Sequence, residues 1–217
     1  MRLEQPAAVV AALGRLLGAE ERSRADAFLR ARDRDRYTVA HGALRDVLAR
    51  YVPTSPHELE YGTASSGKPV LRCEGPHFSL SHSGDLALAA VSHERPIGVD
   101  LERVRHERDH EGVARRFFTP AEVALLAGTE EDARGELFFR LWTCKEACLK
   151  EDGRGIAGLA AVETTLAADG AVGARDSRGP WAVSELRPAP GYAGAVAARG
   201  PGLAPRLLEW DPSLAVA

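Results

Sequence analysis

The stretch FSLSHSGDLALAAVSHERPIGVDLERV (residues 78–104) reads as three short strands divided by turn signals. Ser83-Gly84-Asp85 separates the first two and His93-Glu94-Arg95-Pro96 the last two, which predicts an antiparallel meander. In the third strand, alternation puts Ile97, Val99 and Leu101 on one face and Gly98, Asp100 and Glu102 on the other. Two carboxylates therefore share a side. A hard cation such as Mg²⁺ takes such oxygen ligands and keeps other positions for water or phosphate. A solvated face, with Arg103 and Arg105 as partners, explains the pair equally well. In the first strand His82 falls on the face opposite Ser79, Ser81 and Ser83, where a histidine serves either as a phosphate contact or as a satisfied core residue.

Working outward, Gly67-Lys68-Pro69 is a turn entering a strand, where a lysine and free backbone amides meet a phosphate readily. The region from Glu20 to Arg50 has helical periodicity, closed by Pro53 and Pro56, and Ala7–Leu13 reads as an amphipathic element rather than a signal segment. A second helical stretch runs from Asp109 to Lys150, with breaks at Phe118-Thr119-Pro120 and near Gly128 and an end at Gly153 and Gly155. Strands resume after it, with Asp169-Gly170 as a hairpin turn. Helices followed by strands, twice over, predict an α+β chain of two similar halves, residues 1–104 and 105–217.

The second half carries LFFRLWTCKEACLKEDG (residues 137–153). At about 100° per residue, Leu137, Leu141, Cys144 and Cys148 form one apolar stripe, so the two cysteines are expected to be core thiols. Glu146 and Lys150 lie almost opposite and stack on one face with Phe139 and Thr143. An ordinary i,i+4 surface pair is an alternative account of them. Thr119-Pro120-Ala121-Glu122 is a capping box with proline at the first helical position, which gives Glu122 a structural reason to be there.

A net charge of −3 argues against a nucleic-acid partner. Three cysteines, Cys73, Cys144 and Cys148, make neither a disulfide framework nor a zinc set and suit the cytoplasm; no stretch is long enough to span a membrane. Arginines number 25 and lysines three, so Lys68, Lys145 and Lys150 either stand where a compact ammonium is wanted rather than a guanidinium fork or are chance survivors of the bias.

Taken in order, G-K-P, F-S-L-S-H-S, I-G-V-D-L-E, R-F-F-T-P-x-E and W-T-C-K-E-A-C-L-K resemble the 4′-phosphopantetheinyl transferase superfamily, in its two-half, surfactin-synthetase-activating type. Each motif is weak alone; five in sequence are specific. The resemblance runs from Arg24 to Lys150, and the last sixty or so residues agree mainly in strand character.

The resemblance implies two α+β halves related by a pseudo-twofold axis, with coenzyme A and Mg²⁺ in the cleft between them. It implies transfer of 4′-phosphopantetheine to a serine of an apo acyl or peptidyl carrier protein, releasing adenosine 3′,5′-bisphosphate. Asp100, Glu102 and Glu146 match the metal carboxylates. Arg24, Lys68, Ser81, His82 and Lys150 match contacts to the coenzyme's phosphates. The proton of the carrier serine would go to Glu146, to Glu122 or to water on the metal, and Lys150 would steady the leaving phosphate. Lys145 receives no role beyond local charge. Arg115, Arg116 and Arg140 are available to an acidic carrier helix, or are simply solvated. A monomer is expected, since both halves lie in one chain. The competing activities are hydrolysis of the coenzyme A diphosphate and binding without turnover.

Overall fold

The computed structural model describes residues 1–105 and 109–215. Three helices open the chain: α1 (Ala7–Leu16), α2 (Ala19–Asp26) and α3 (Ala31–Leu48). The expected helical run from Glu20 to Arg50 is thus two helices with a break at residues 27–30. Helix α1 crosses α3 at Gly42, where a Cβ would come within 2.7 Å of the Leu13 Cβ. Leu3, Leu13, Val39, Ala40 and Ala43 form the apolar centre of this layer.

A short ribbon of β1 (Tyr61–Thr63) and β2 (Pro69–Leu71) precedes the hairpin of β3 (His77–Ser83) and β4 (Leu86–Ser92), which turns at Gly84-Asp85 as predicted. Strand β5 (Gly98–Arg103) corrects the expected meander. It hydrogen-bonds not to β4 but to β9 (Tyr192–Arg199), nearly a hundred residues away. Strands β6 (Glu163–Leu166), β7 (Val172–Asp176) and β8 (Gly179–Leu186) complete an antiparallel sheet in the order β5-β9-β8-β7-β6. The edge of β5 that faces β3 is met by side chains: Ser79, Ser81 and Ser83 Oγ accept the N–H groups of Val99, Leu101 and Arg103. This register makes β5 run in the same direction as β3. A strand counted in the N-terminal half is therefore the edge of the C-terminal sheet.

Helices α4 (His110–Phe117), α5 (Pro120–Ala127) and α6 (Glu131–Asp152) occupy the predicted second helical stretch, with breaks at Phe118-Thr119 and around Gly128. Gly153, at φ 80°, closes α6 in the left-handed conformation that glycine adopts freely. Leu137, Leu141, Cys144 and Cys148 are buried as the stripe predicts, but so are Phe139 and Thr143 on the other face. Helix α6 is not a one-sided surface helix; it is packed on both sides. Against it lies β5, at a separation only glycine permits: a Cβ on Gly98 would fall 2.0 Å from the Ala147 carbonyl oxygen. Removing Leu141 or Leu149, both fully buried, to alanine costs about 2–5 kcal/mol.

After β9 the chain returns to the N-terminal layer. The Arg95 guanidinium binds the carbonyls of Arg199 and Pro201 at 2.9 and 3.0 Å, and Trp210 packs on the α1/α3 core with its Nε1 2.8 Å from Asp46 Oδ2. No helix among the described residues is long and apolar enough to cross a membrane.

Candidate active site

Gly98 brings β5 against α6, and so sets Asp100 beside the last turns of that helix. Asp100 is only 3% exposed. Its Oδ1 accepts bonds from Lys150 Nζ at 2.6 Å and Ser81 Oγ at 2.8 Å, while Oδ2 is buried with no partner among the described residues. A buried carboxylate oxygen left without a donor carries a desolvation cost, so an unpartnered one marks a place for a ligand. Two residues on, Glu102 Oε2 accepts from Ser83 Oγ at 2.7 Å. Burial pushes the Glu102 carboxyl up, and the neighbouring Asp100 adds to this.

Glu146 comes from α6. Burial first, then the negative charge of Asp100, raise its carboxyl to about 7; Lys150 opposes the shift and Glu102 adds to it. The three carboxylates are therefore close enough to feel one another. Among the described residues, however, no three His, Cys, Asp or Glu side chains are closed into a cation-binding set. The donor chemistry nonetheless suits a hard divalent cation: all oxygen, mutually repelling, with Asp100 Oδ2 open.

Beside these groups opens a cavity of about 730 Å³, lined by Glu146 and Lys150 from α6, His82 from β3, Lys68 from the β1–β2 turn, Arg24 from α2 and the aromatic rings of Tyr37 and Tyr61. That volume accommodates a ligand of nucleotide size. Arg24 is exposed, lies 5.8 Å from the Tyr37 ring centre, and makes no ion pair among the described residues. Burial lowers the His82 pKa, with His41, Lys150, Arg24 and Arg36 lowering it further, so this end of the cavity is electropositive. Lys68 is partly committed: Nζ donates to the carbonyls of Ile97 at 2.6 Å and Glu151 at 2.9 Å, pinning the carboxyl end of α6 to the start of β5. An ammonium has three protons, which leaves one for the cavity. Ser81 is not free in this way. Its hydroxyl donates to Asp100 and accepts from Leu101 N–H and Lys150 Nζ, which fills its capacity.

Glu122 lies elsewhere. It is 1% exposed, and its Oε2 accepts from Thr119 N–H at 2.7 Å, completing the predicted capping box, and from Lys145 Nζ at 2.6 Å. Its Oε1 accepts from Thr164 N–H at 2.7 Å. Lys145, given no role by its sequence position, is wholly buried over the Phe118 ring. This pair ties α5, α6 and β6 together and lines no part of the cavity. Cys144 and Cys148 are buried thiols whose pKa values burial pushes up. Arg140 is committed to Glu185 at 2.7 and 3.0 Å and to the Gly170 carbonyl, whereas Arg115 and Arg116 are exposed.

Sequence reasoning missed Ser83, Gly98 and Lys145. The i, i+2, i+4 serines of β3 were visible as a pattern; the strand they face was not.

A family model described as the 4′-phosphopantetheinyl transferase superfamily matches residues 96–197, from the start of β5 through most of β9. The 4′-phosphopantetheinyl transferase HetI of Nostoc sp. (strain PCC 7120) is 38% identical over 212 residues, which cover 96% of this chain and 89% of that protein. The 4′-phosphopantetheinyl transferase Sfp of Bacillus subtilis (strain 168) is 29% identical over 84% of this chain and 82% of its own. The 4′-phosphopantetheinyl transferase AcpT of Escherichia coli (strain K12) is 35% identical over 50% of this chain and 55% of its own.

Proposed function

The chain belongs to the 4′-phosphopantetheinyl transferase superfamily and transfers phosphopantetheine from coenzyme A to carrier proteins, and from that premise we propose which of its residues perform the transfer. The observation that carries the proposal is the junction of β5 and α6, where Lys150, which lines the cavity with Glu146, binds one oxygen of Asp100 and the other is buried with no partner among the described residues.

Asp100 through Oδ2, with Glu102 and Glu146, would hold Mg²⁺. When bound there the cation supplies neutralisation of the diphosphate charge. Arg24, His82 and the remaining Lys68 proton line the cavity and bind the coenzyme's phosphates; Lys150, also in the lining, binds the diphosphate. In the reaction, the hydroxyl oxygen of the carrier serine bonds to the phosphorus that bears the pantetheine. The bond from that phosphorus to the oxygen of adenosine 3′,5′-bisphosphate breaks, and the leaving phosphate keeps the electron pair. Lys150 stabilises that developing charge. Glu146, which lines the cavity, takes the serine proton. Glu122 has no free oxygen for this task and serves as a structural anchor.

The same reading takes the chain as two α+β halves, 1–104 and 105–217, related by a pseudo-twofold axis, with β5 of the first half forming the edge of the sheet of the second. It includes a cytoplasmic monomer without a nucleic-acid partner, supported by three free cysteines, by site residues drawn from one chain and by a net charge of −3.

The test is product analysis. With coenzyme A, Mg²⁺ and an apo carrier protein, the carrier serine should gain the mass of phosphopantetheine as adenosine 3′,5′-bisphosphate forms in equal amount, and a chelator should stop both. Free phosphopantetheine with an unmodified carrier would contradict transfer.

A further inference from the structure

The serines of β3 are more than a seam. Ser79, Ser81 and Ser83 all turn toward β5, all are buried, and each Oγ accepts one strand N–H, at 3.1, 3.2 and 3.1 Å from Val99, Leu101 and Arg103. Accepting that N–H fixes the hydroxyl oxygen in place and leaves its single proton to be given elsewhere. Ser81 gives its proton to Asp100 Oδ1 at 2.8 Å, and Ser83 gives its proton to Glu102 Oε2 at 2.7 Å. Along the same progression Ser79 would meet residue 98, a glycine with no side chain to accept it.

The consequence for the carboxylates is the same at both positions. One oxygen is anchored to a serine, and the other, Asp100 Oδ2 or Glu102 Oε1, accepts no hydrogen bond among the described residues. A glutamate has several rotatable bonds, and holding its carboxylate in one orientation before a ligand arrives removes an ordering cost from binding. Carboxylates that hold cations are oriented by such hydrogen bonds, and removing one costs about 10- to 100-fold in metal affinity or activity.

We propose that Ser83 is a positioning residue that anchors Oε2 of Glu102 so that Oε1 is offered to a divalent cation, with Ser81 acting alike on Asp100. The assignment rests on the reading of Asp100, Glu102 and Glu146 as cation-binding carboxylates, and its test separates the two.

Mn²⁺ alone is titrated into the protein, and the free ion is followed by electron paramagnetic resonance, with thermal melting of each cation-free variant as a control. Ser83→Ala should weaken Mn²⁺ binding about 10- to 100-fold. Ser83→Thr, which keeps the hydroxyl, should restore it. Ser79→Ala removes a bond of the same kind to β5 but no carboxylate contact, so it should lower the melting temperature as Ser83→Ala does while leaving Mn²⁺ affinity unchanged. Equal loss of affinity in Ser79→Ala and Ser83→Ala would overturn the proposal by making the ladder merely structural. So would unchanged affinity in Ser83→Ala alongside loss in Asp100→Ala. Undiminished affinity in Asp100→Ala would instead overturn the cation reading beneath it. Should Ser83→Ala fail to fold, Ser83→Cys, a weaker donor of similar size, takes its place and should bind Mn²⁺ less well than Ser83→Thr.

Discussion

Lys150 Nζ, on the last turn of α6, lies 2.6 Å from Asp100 Oδ1 in the middle of β5. A helix and a strand thus meet through a charge pair between residues 50 positions apart in the chain, near the point where Gly98 lets them approach. The pair is partly exposed on the lysine side and buried on the aspartate side, which leaves the ammonium able to reach both the carboxylate and the cavity.

Lys150→Met should lower kcat/KM for transfer by about 100- to 1,000-fold, the usual effect of removing one group that stabilises transition-state charge. The melting temperature should fall as well, because Asp100 loses its charged partner. Lys150→Arg should not rescue activity: the ammonium sits between Ser81 Oγ and Asp100 Oδ1, a geometry that a planar guanidinium fork does not reproduce. Steady-state kinetics alongside thermal melting checks both statements.

Glu146→Gln should separate stability from function. The folded-state carboxyl titrates near 7, above its ordinary value of 4.5, so the folded protein binds this proton more tightly than the unfolded chain does. Its contribution to stability therefore falls as pH rises from about 4.5 through 7 and stays low at pH 8. In the cation-free protein at pH 8, Glu146→Gln should raise stability by about 1 kcal/mol, after allowance for its partial exposure. At pH 4 the two proteins should melt alike, and transfer by the variant should drop at every pH. Melting curves at the two pH values, paired with an activity profile, supply the check.

Glu122 and Lys145 should matter to the fold and not to the chemistry. Glu122→Met alone strands a buried ammonium and should cost about 3–5 kcal/mol. Adding Lys145→Met should recover the part of that loss due to the stranded charge, while the Thr119 and Thr164 N–H groups stay without their acceptor. The double variant should then transfer phosphopantetheine at a rate near that of the parent. A folded but inactive double variant would return Glu122 to the list of proton acceptors.

Coenzyme A binding should take up a proton at His82. Burial holds this imidazole below its ordinary value of 6.5, with His41, Lys150, Arg24 and Arg36 adding to the effect, and a phosphate placed among them reverses the sign of the local charge. The bound state then has the higher pKa, so affinity should fall as pH rises through the window between the two values. Calorimetry in two buffers of different ionisation enthalpy should show proton uptake near pH 6.5 that disappears in His82→Gln.

The legible parts of this fold were the local ones. The capping box at Thr119–Glu122, the stripe through Cys144 and Cys148, the Gly84-Asp85 turn and the alternation in β3 all depend on residues a few positions apart, and all four appear where the sequence put them. The partner of β5 was not legible, because an alternating strand has the same pattern whichever neighbour it pairs with, and β9 lies nearly a hundred residues further on. Lys145 escaped for a related reason. A charged residue reads as exposed until its counter-charge is located, and Glu122 sits 23 positions away on another helix. Asp100, Glu102, Glu146 and Lys150 could each be named from the resemblance that the five motifs carry, but the serines that hold two of them emerge only once β3 is seen beside β5.

The most direct test of the assigned site is the mass of the carrier protein after incubation with coenzyme A and Asp100→Ala enzyme across a wide Mg²⁺ titration. The account predicts no phosphopantetheine on the carrier serine at any Mg²⁺ concentration, from a variant that still melts cooperatively. A carrier that gains the phosphopantetheine mass at the parent rate would contradict it.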